Sequence, residues 1–435
     1  MKRPGCTGRL QTTLLAHDGQ TPAVICGPTD HNHEPEEEKV VRGCAIAEMR
    51  KTVKAVPLKQ LKAVYDTAVS TSTAGDADVA LLPSYRSVET ILKLQRSQDI
   101  PKLPKSRREI CIDGKWSETN DGNRFLLQSP SITDYEIVVF ASDASLLRLA
   151  DCKTIYMDGT FKCFPSLYTQ LFTIHGLSNN YVVPLVYALL SNKSSASYYK
   201  LFDIIRQAIL TLGALLSPET VLSDFESGLI EAMRVQFPQA SHSGCYFYFT
   251  QAVYRKVQDL GLTSAYQDKM HDNKIKEFVQ LCMALAFVPQ AEVAVQLNDC
   301  IALLTAENKQ LLDRFIVYFQ DTWVDGLFHI KLWNKCGQDF LHRTNNRVES
   351  WHSTLRQKLP THPNVFLLVN TLKTMEDGTR MTLLKADAGE SPPRRRPKYI
   401  KLEQKLTKIH QQHQHGEINT AQLLRQVRHF TRKYK

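Results

Sequence analysis

Between residues 152 and 259 the chain alternates short β-type runs with amphipathic helical stretches, and this order constrains the fold more than any other feature of the sequence. "CKTIYMDGTF" is a β-rich run ending at an Asp-Gly turn, "SLYTQLFTIHGL" a second strand, and "NNYVVPLVYALLS" a third, with an Asn-Asn turn between the last two. "SASYYKLFDIIRQAILTLG" repeats apolar residues at helical spacing behind a serine cap. "PETVLSDF" then reads as a strand, "ESGLIEAMRVQF" as a helix, "SHSGCYFYF" as a strand and "TQAVYRKVQDLG" as a helix. The order is β-β-β-α-β-α-β-α. Three strands that meander antiparallel, followed by alternating helix and strand, specify an α/β domain with a mixed sheet covered on both faces.

The flanks are different. Residues 1–50 carry Cys6, Cys26, His31, His33 and Cys44. Residues 51–139 read as a mixed, mostly helical region with a proline-punctuated linker, "DIPKLPKSRRE". The sheet domain spans 140–375, with a helical insertion at about 263–340. Residues 376–435 form a basic tail, with fourteen Lys/Arg against six Asp/Glu out of a net charge of +10. A polyanion such as DNA is the natural partner of such a tail. "MKRPGCTGRL" lacks the apolar run of a signal peptide, and "YVVPLVYALL" is about half the length of a membrane span, so a soluble chain is expected. Ten irregularly spaced cysteines do not suit a secreted disulfide scaffold.

Three acids fall where this order would bring them together. Asp158 closes the first strand and Asp224 the fourth, and strand ends are where α/β sheets place ligands. Taken singly, Asp158 before Gly reads as turn chemistry and Asp224 as a helix cap. Glu349 lies in "TNNRVESWHSTLR", where Val348, Trp351 and Leu355 form an apolar stripe and Asn345, Glu349, His352 and Arg356 lie on another side. Together the three carboxylates would make a hard oxygen site suited to Mg²⁺ or Mn²⁺. Two such ions about 3.5–4 Å apart serve the attacking and leaving oxygens of phosphodiester cleavage.

"MDGTFK" (157–162), "LSDFESGLIEAM" (222–233), "GCYFYFTQAVYRKV" (244–257) and "TNNRVESWHSTLR" (344–356) resemble the successive blocks of the MULE-type, or Mutator-like, transposase domain. "ILKLQRSQDIPKLP" and "FLLQSPS" resemble the segment that precedes it, so the resemblance runs from about 80 to 375. It implies an RNase H-like fold with Asp158, Asp224 and Glu349 as its catalytic, metal-holding acids. It also implies metal-dependent strand cleavage and strand transfer on double-stranded DNA at transposon terminal repeats, with a homo-oligomer on DNA, in the nucleus. One block departs from the family pattern: the family shows Cys-x-x-His where this chain has Cys245 and Tyr248. Tyr cannot replace imidazole as a ligand or base near neutral pH, and His242 lies at odd spacing from Cys245 for a strand. Cys245, Asn345 and His352 are accessory candidates, the last two to orient Glu349 or contact DNA.

The N-terminal "RPGCTGRLQTT…DHNHEPE" resembles the second half of a FLYWCH-type zinc finger. Cys6, His31 and His33 map onto three Zn²⁺ ligands, and the fourth is expected upstream of Met1, with Cys26 as the alternative within this sequence. His410, His413 and His415 read as an exposed polar patch, and "PPRRRPK" (392–398) as a nuclear-localisation or phosphate-contacting run. Three functions compete: an active DDE transposase, a transposase relic that binds DNA or chromatin without catalysis, and a nuclease acting on RNA or hybrids.

Overall fold

A computed structural model of the chain describes residues 11–12, 24–26, 37–55, 59–71, 82–98, 100–129, 136–160, 163–268, 273–338, 344–392 and 396–431. It divides into two compact units, Met1–Lys102 and Leu103–Lys435.

In the first unit, β1 (Gln11–Thr12) pairs antiparallel with β2 (Val24–Cys26). Among the described residues the helices α1 (Glu37–Ala55), α2 (Leu61–Thr71) and α3 (Tyr85–Ser97) follow. Met49 and Val53 of α1, Leu61 and Val64 of α2, and Val88 and Leu92 of α3 form its core. Each pair is spaced by three or four residues, so each helix contributes one stripe. The zinc-ligand candidates Cys6, His31 and His33 lie outside the described residues, and Cys26 ends β2.

The second unit is built on a seven-stranded mixed sheet. In chain order its elements are β3 (Leu126–Gln128), β4 (Ile137–Phe140), α4 (Asp143–Asp151), β5 (Thr154–Thr160), β6 (Gln170–Ser178), β7 (Tyr181–Leu190), α5 (Ser195–Thr211), β8 (Thr220–Ser223), α6 (Ser227–Gln236), β9 (Ser241–Gly244) and α7 (Tyr246–Asp259). The strand order is β3-β4-β7-β6-β5-β8-β9, antiparallel as far as β5 and parallel from β5 through β8 to β9. Asn179 and Asn180 join β6 to β7 with φ of 47° and 65°. Positive φ at both central residues is the hairpin-turn geometry that the Asn-Asn pair favours.

Three sequence readings of the sheet's strands change. β3 and β4 come from a stretch read as helical and linker. "IVVF" is buried at all four positions, and such a short run has no alternation to distinguish strand from helix. The Asp158–Gly159 pair is not a turn, because β5 continues to Thr160 and pairs Asp158 with Thr173 and Gly159 with Phe172. The run "SHSGCYFYF" is a strand only as far as Gly244. Cys245 caps α7, whose Tyr246 and Phe249 are buried at helical spacing.

A helical insertion follows: α8 (Thr263–Gln267), α9 (Lys274–Ala284), α10 (Val293–Ala302), α11 (Ala306–Phe319) and α12 (Ile330–Trp333). Its core centres on Phe249 of α7, whose ring stacks on Trp333 at 4.8 Å and meets Trp323 edge-on. The chain then returns to the sheet as α13 (Asn346–Lys358) and α14 (Val365–Asp387), and ends in α15 (Pro397–Gln414) and α16 (Thr420–Val427). The last two helices are more than a solvated tail: Leu406, Ile409, Leu423, Leu424 and Val427 join the insertion's core. His410, read as exposed, is buried there, with Nε2 2.8 Å from the Phe287 carbonyl and Nδ1 2.9 Å from that of Leu406. Among the described residues no helix is long and apolar enough to cross a membrane.

Candidate functional site

The parallel pairing of β5 with β8 decides where the first two acids stand. Tyr156 is in register with Leu222, so Asp158 and Asp224 each lie two residues further along neighbouring strands. Asp158 is buried within β5. Asp224 follows the end of β8, and its Oδ1 accepts the Glu226 amide at 3.3 Å. Burial, followed by the charge of Asp158 and then that of Glu226, pushes the Asp224 carboxyl up to about 7. The helix-cap reading of Asp224 fails, since α6 starts behind Glu226.

α13 brings the third acid. Val348 packs on Tyr156 and Leu222, and the Trp351 ring rests against His175 and Tyr187. With that stripe on the sheet, Glu349, His352 and Arg356 line a cleft of about 660 Å³ shared with Gly159, Asp224, Tyr248 and Arg255. The apolar stripe on the helical wheel therefore sets which way Glu349 faces.

Asp158 stands directly behind the cleft and is held from three sides. Its Oδ1 accepts the Gly159 amide at 2.9 Å. The Tyr248 hydroxyl donates to its two carboxylate oxygens at 3.4 and 3.3 Å, and His352 Nδ1 lies 3.4 Å from Oδ2. Behind His352, its Nε2 is 3.1 Å from Thr173 Oγ1, which donates to the Asp158 carbonyl at 3.2 Å and lies 3.1 Å from His175 Nε2. Burial, with the neighbouring His352 next, depresses the His175 pKa well below its ordinary value, so His175 is neutral. Tyr248, whose hydroxyl burial and the nearby Asp158 and Glu349 hold in the protonated form, keeps the proton that it donates to Asp158.

Two accessory candidates meet at one point. The Asn345 amide donates to Cys245 Sγ at 3.2 Å, tying the start of α13 to the start of α7. Burial pushes the Cys245 thiol up to about 11, which makes it a neutral packing group rather than a thiolate ligand. His242 turns to the Phe237 carbonyl, 3.2 Å from Nε2. Gly244 is also dictated by the site, because a Cβ there would come within 2.3 Å of the Phe225 ring beside Asp224.

Among the described residues no group of three or more His, Cys, Asp or Glu side chains is arranged to hold a metal ion. Asp224 and Glu349 line the cleft and Asp158 is buried behind it. The donor chemistry of Asp158 and Asp224 nevertheless suits a hard cation: the buried Asp158 and the half-buried Asp224 at the end of the adjacent strand repel each other, and a divalent cation would relieve that repulsion.

Residues 154–252 match the MULE transposase domain. The matched span of this transposase-domain model carries Asp158, Asp224, Cys245 and Tyr248, while Glu349 on α13 lies beyond it. Comparison with curated proteins returns no match.

Sequence reasoning missed the contact between Tyr248 and Asp158, and with it the basic side chain Arg255. Reading α7 on a helical wheel would have placed Tyr248 and Arg255 on one face. Tyr248, Gln251 and Arg255 recur at i, i+3 and i+7 and all line the cleft.

Proposed function

We propose that this chain is a transposon-derived, DNA-acting protein whose RNase H-like domain carries a DDE-type site formed by Asp158, Asp224 and Glu349. The observation that supports it is the convergence of three carboxylate-bearing elements, β5, β8 and α13, on one cleft, the first two within the span that matches a transposase domain. Asp158 and Asp224 would hold Mg²⁺ or Mn²⁺, with Glu349 reaching in from α13. When bound, the cation would lower the pKa of water to yield a nucleophile at neutral pH and neutralise charge on the scissile phosphate.

The protein's own residues do the positioning. His352 fixes the Asp158 carboxylate from α13, and the Val348–Trp351 stripe fixes Glu349. Cys245 and Asn345 hold the two helix starts together, so the acids keep their mutual placement when DNA loads. Double-stranded DNA at transposon terminal repeats is the proposed substrate, and the freed 3′-hydroxyl then attacks a second strand.

The test is nicking of duplex DNA carrying terminal repeats, with Mg²⁺ or Mn²⁺, in wild type, Asp158→Asn and Glu349→Gln. Metal-dependent nicking lost in both variants supports the reading. Unchanged nicking in either variant contradicts it. The relic reading draws on the Tyr248 hydroxyl at Asp158, which occupies a carboxylate an active site would offer to a cation. It predicts DNA binding without nicking in all three proteins.

A further inference from the structure

The cleft has a second end that the three acids do not use. α7 and α13 start side by side, pinned by the Asn345 amide on Cys245 Sγ, and each then contributes a row of residues to the cleft wall. From α7 the row is Tyr248, Gln251 and Arg255, and from α13 it is Glu349, His352 and Arg356. In each row the last residue lies seven positions beyond the first, about 10 Å along the helix at 1.5 Å per residue. Each row therefore runs from its start near the acids Asp224 and Glu349 to a guanidinium group, Arg255 on α7 and Arg356 on α13, on the wall of the same cleft. Both arginines are exposed, and among the described residues neither forms an ion pair with a carboxylate.

We infer that Arg255 and Arg356 form a phosphate-binding end of the cleft that grips a DNA strand a few nucleotides from the carboxylates. This deepens, and rests on, the DNA-cleaving reading above. The chemistry is specific to the pair. The acidic end repels a polyanion until a cation is bound, so a strand needs an anchor elsewhere on the same track. Guanidinium groups supply it through forked hydrogen bonds to phosphate oxygens. A separation of about 10 Å corresponds to about three nucleotides of a strand at 3.4 Å each. A phosphate on the arginines thus leaves another phosphate of the same strand beside Asp224 and Glu349. Gln251, between Tyr248 and Arg255, faces the intervening stretch.

The experiment reads occupancy of this cleft rather than overall binding by a basic protein. Gln251 is replaced by p-benzoylphenylalanine in the full chain, which is irradiated with end-labelled duplex DNA in EDTA, where no cleavage occurs. The parent is compared with Arg255→Ala/Arg356→Ala and Arg255→Lys/Arg356→Lys, and metal-dependent nicking is measured in parallel. The expected result is a cross-link in the parent, a drop of about tenfold in the double alanine variant, and an intermediate yield in the double lysine variant, which keeps charge without the fork. An unchanged cross-link in the double alanine variant overturns the inference. If that variant also nicks with unchanged KM, the DNA-cleaving reading stands without it. A parent that neither cross-links nor nicks removes both.

Discussion

Two buried carboxyl groups in the second unit behave in opposite ways. Glu376 of α14 is enclosed: Ser142 and Ser145 donate hydroxyl hydrogen bonds to its Oε1 at 2.5 and 2.6 Å, and Tyr187 donates to its Oε2 at 3.4 Å. These donors pin α14 to the start of α4 and to β7, and burial raises the Glu376 pKa. Asp158 has a second, half-buried acid at the end of the adjacent strand, long contacts of 3.3–3.4 Å to Tyr248 and His352, and a cleft in front of it. A carboxyl group that only holds a fold together is best served by saturation. One that must exchange a protein donor for a cation or a phosphate needs weaker partners and an opening. Burial alone does not distinguish the two, whereas the neighbours do.

The largest expected effect separates them by activity. Asp158→Asn lowers metal-dependent nicking on the order of 10³-fold with little change in melting temperature, because it keeps shape and removes charge. Glu376→Ala does the converse. It leaves the Ser142 and Ser145 hydroxyls buried without their acceptor and lowers the free energy of unfolding by about 2–4 kcal/mol, read by urea denaturation. Nicking per folded molecule is unchanged. A Glu376→Ala variant with full stability, or an Asp158→Asn variant that unfolds, breaks the comparison.

Tyr248→Phe sharpens it. Loss of the hydroxyl frees the Asp158 oxygens and tightens Mn²⁺ binding by roughly two- to tenfold, the value of one ordinary hydrogen bond, measured by calorimetry. Weaker Mn²⁺ binding would show instead that the hydroxyl organises Asp158.

The smallest effect concerns pH. The folded-state pKa of Glu376 lies above its unfolded value, so between the two the native state holds more protons than the unfolded chain. Wild-type stability therefore declines as pH rises through that window. Glu376→Gln keeps the acceptor oxygen and removes the charge. Its melting temperature should match wild type near pH 4 and exceed it slightly at pH 7. A lower melting temperature at pH 7 would mean that the ionised form is the stabilising one.

Much of the strand and helix order around Asp158 and Asp224 was legible because its signals are local and long. The Asn179–Asn180 turn and the Ser194 cap of α5 each follow from a few residues. β4 was not legible, since its four buried residues acquire strand identity only by pairing with β7. The start of α7 was obscured by its aromatic residues, which suit strands until Phe249 meets Trp333. His410 looked exposed because its neighbours are polar, and its burial depends on Phe287, which lies 123 residues away. For the candidate site, the facing of Glu349 was readable from the α13 stripe. The proximity of Asp158 to Asp224 required the parallel register of β5 and β8, which no local pattern encodes.

The central claim is that Asp158, Asp224 and Glu349 act as one cation-dependent site. A calorimetric Mn²⁺ titration of the full chain tests it most directly, comparing wild type with Asp158→Asn, Asp224→Asn and Glu349→Gln. The account predicts saturable binding in wild type, weakened by at least about tenfold in every single variant. Binding of equal strength in wild type and all three variants would contradict it.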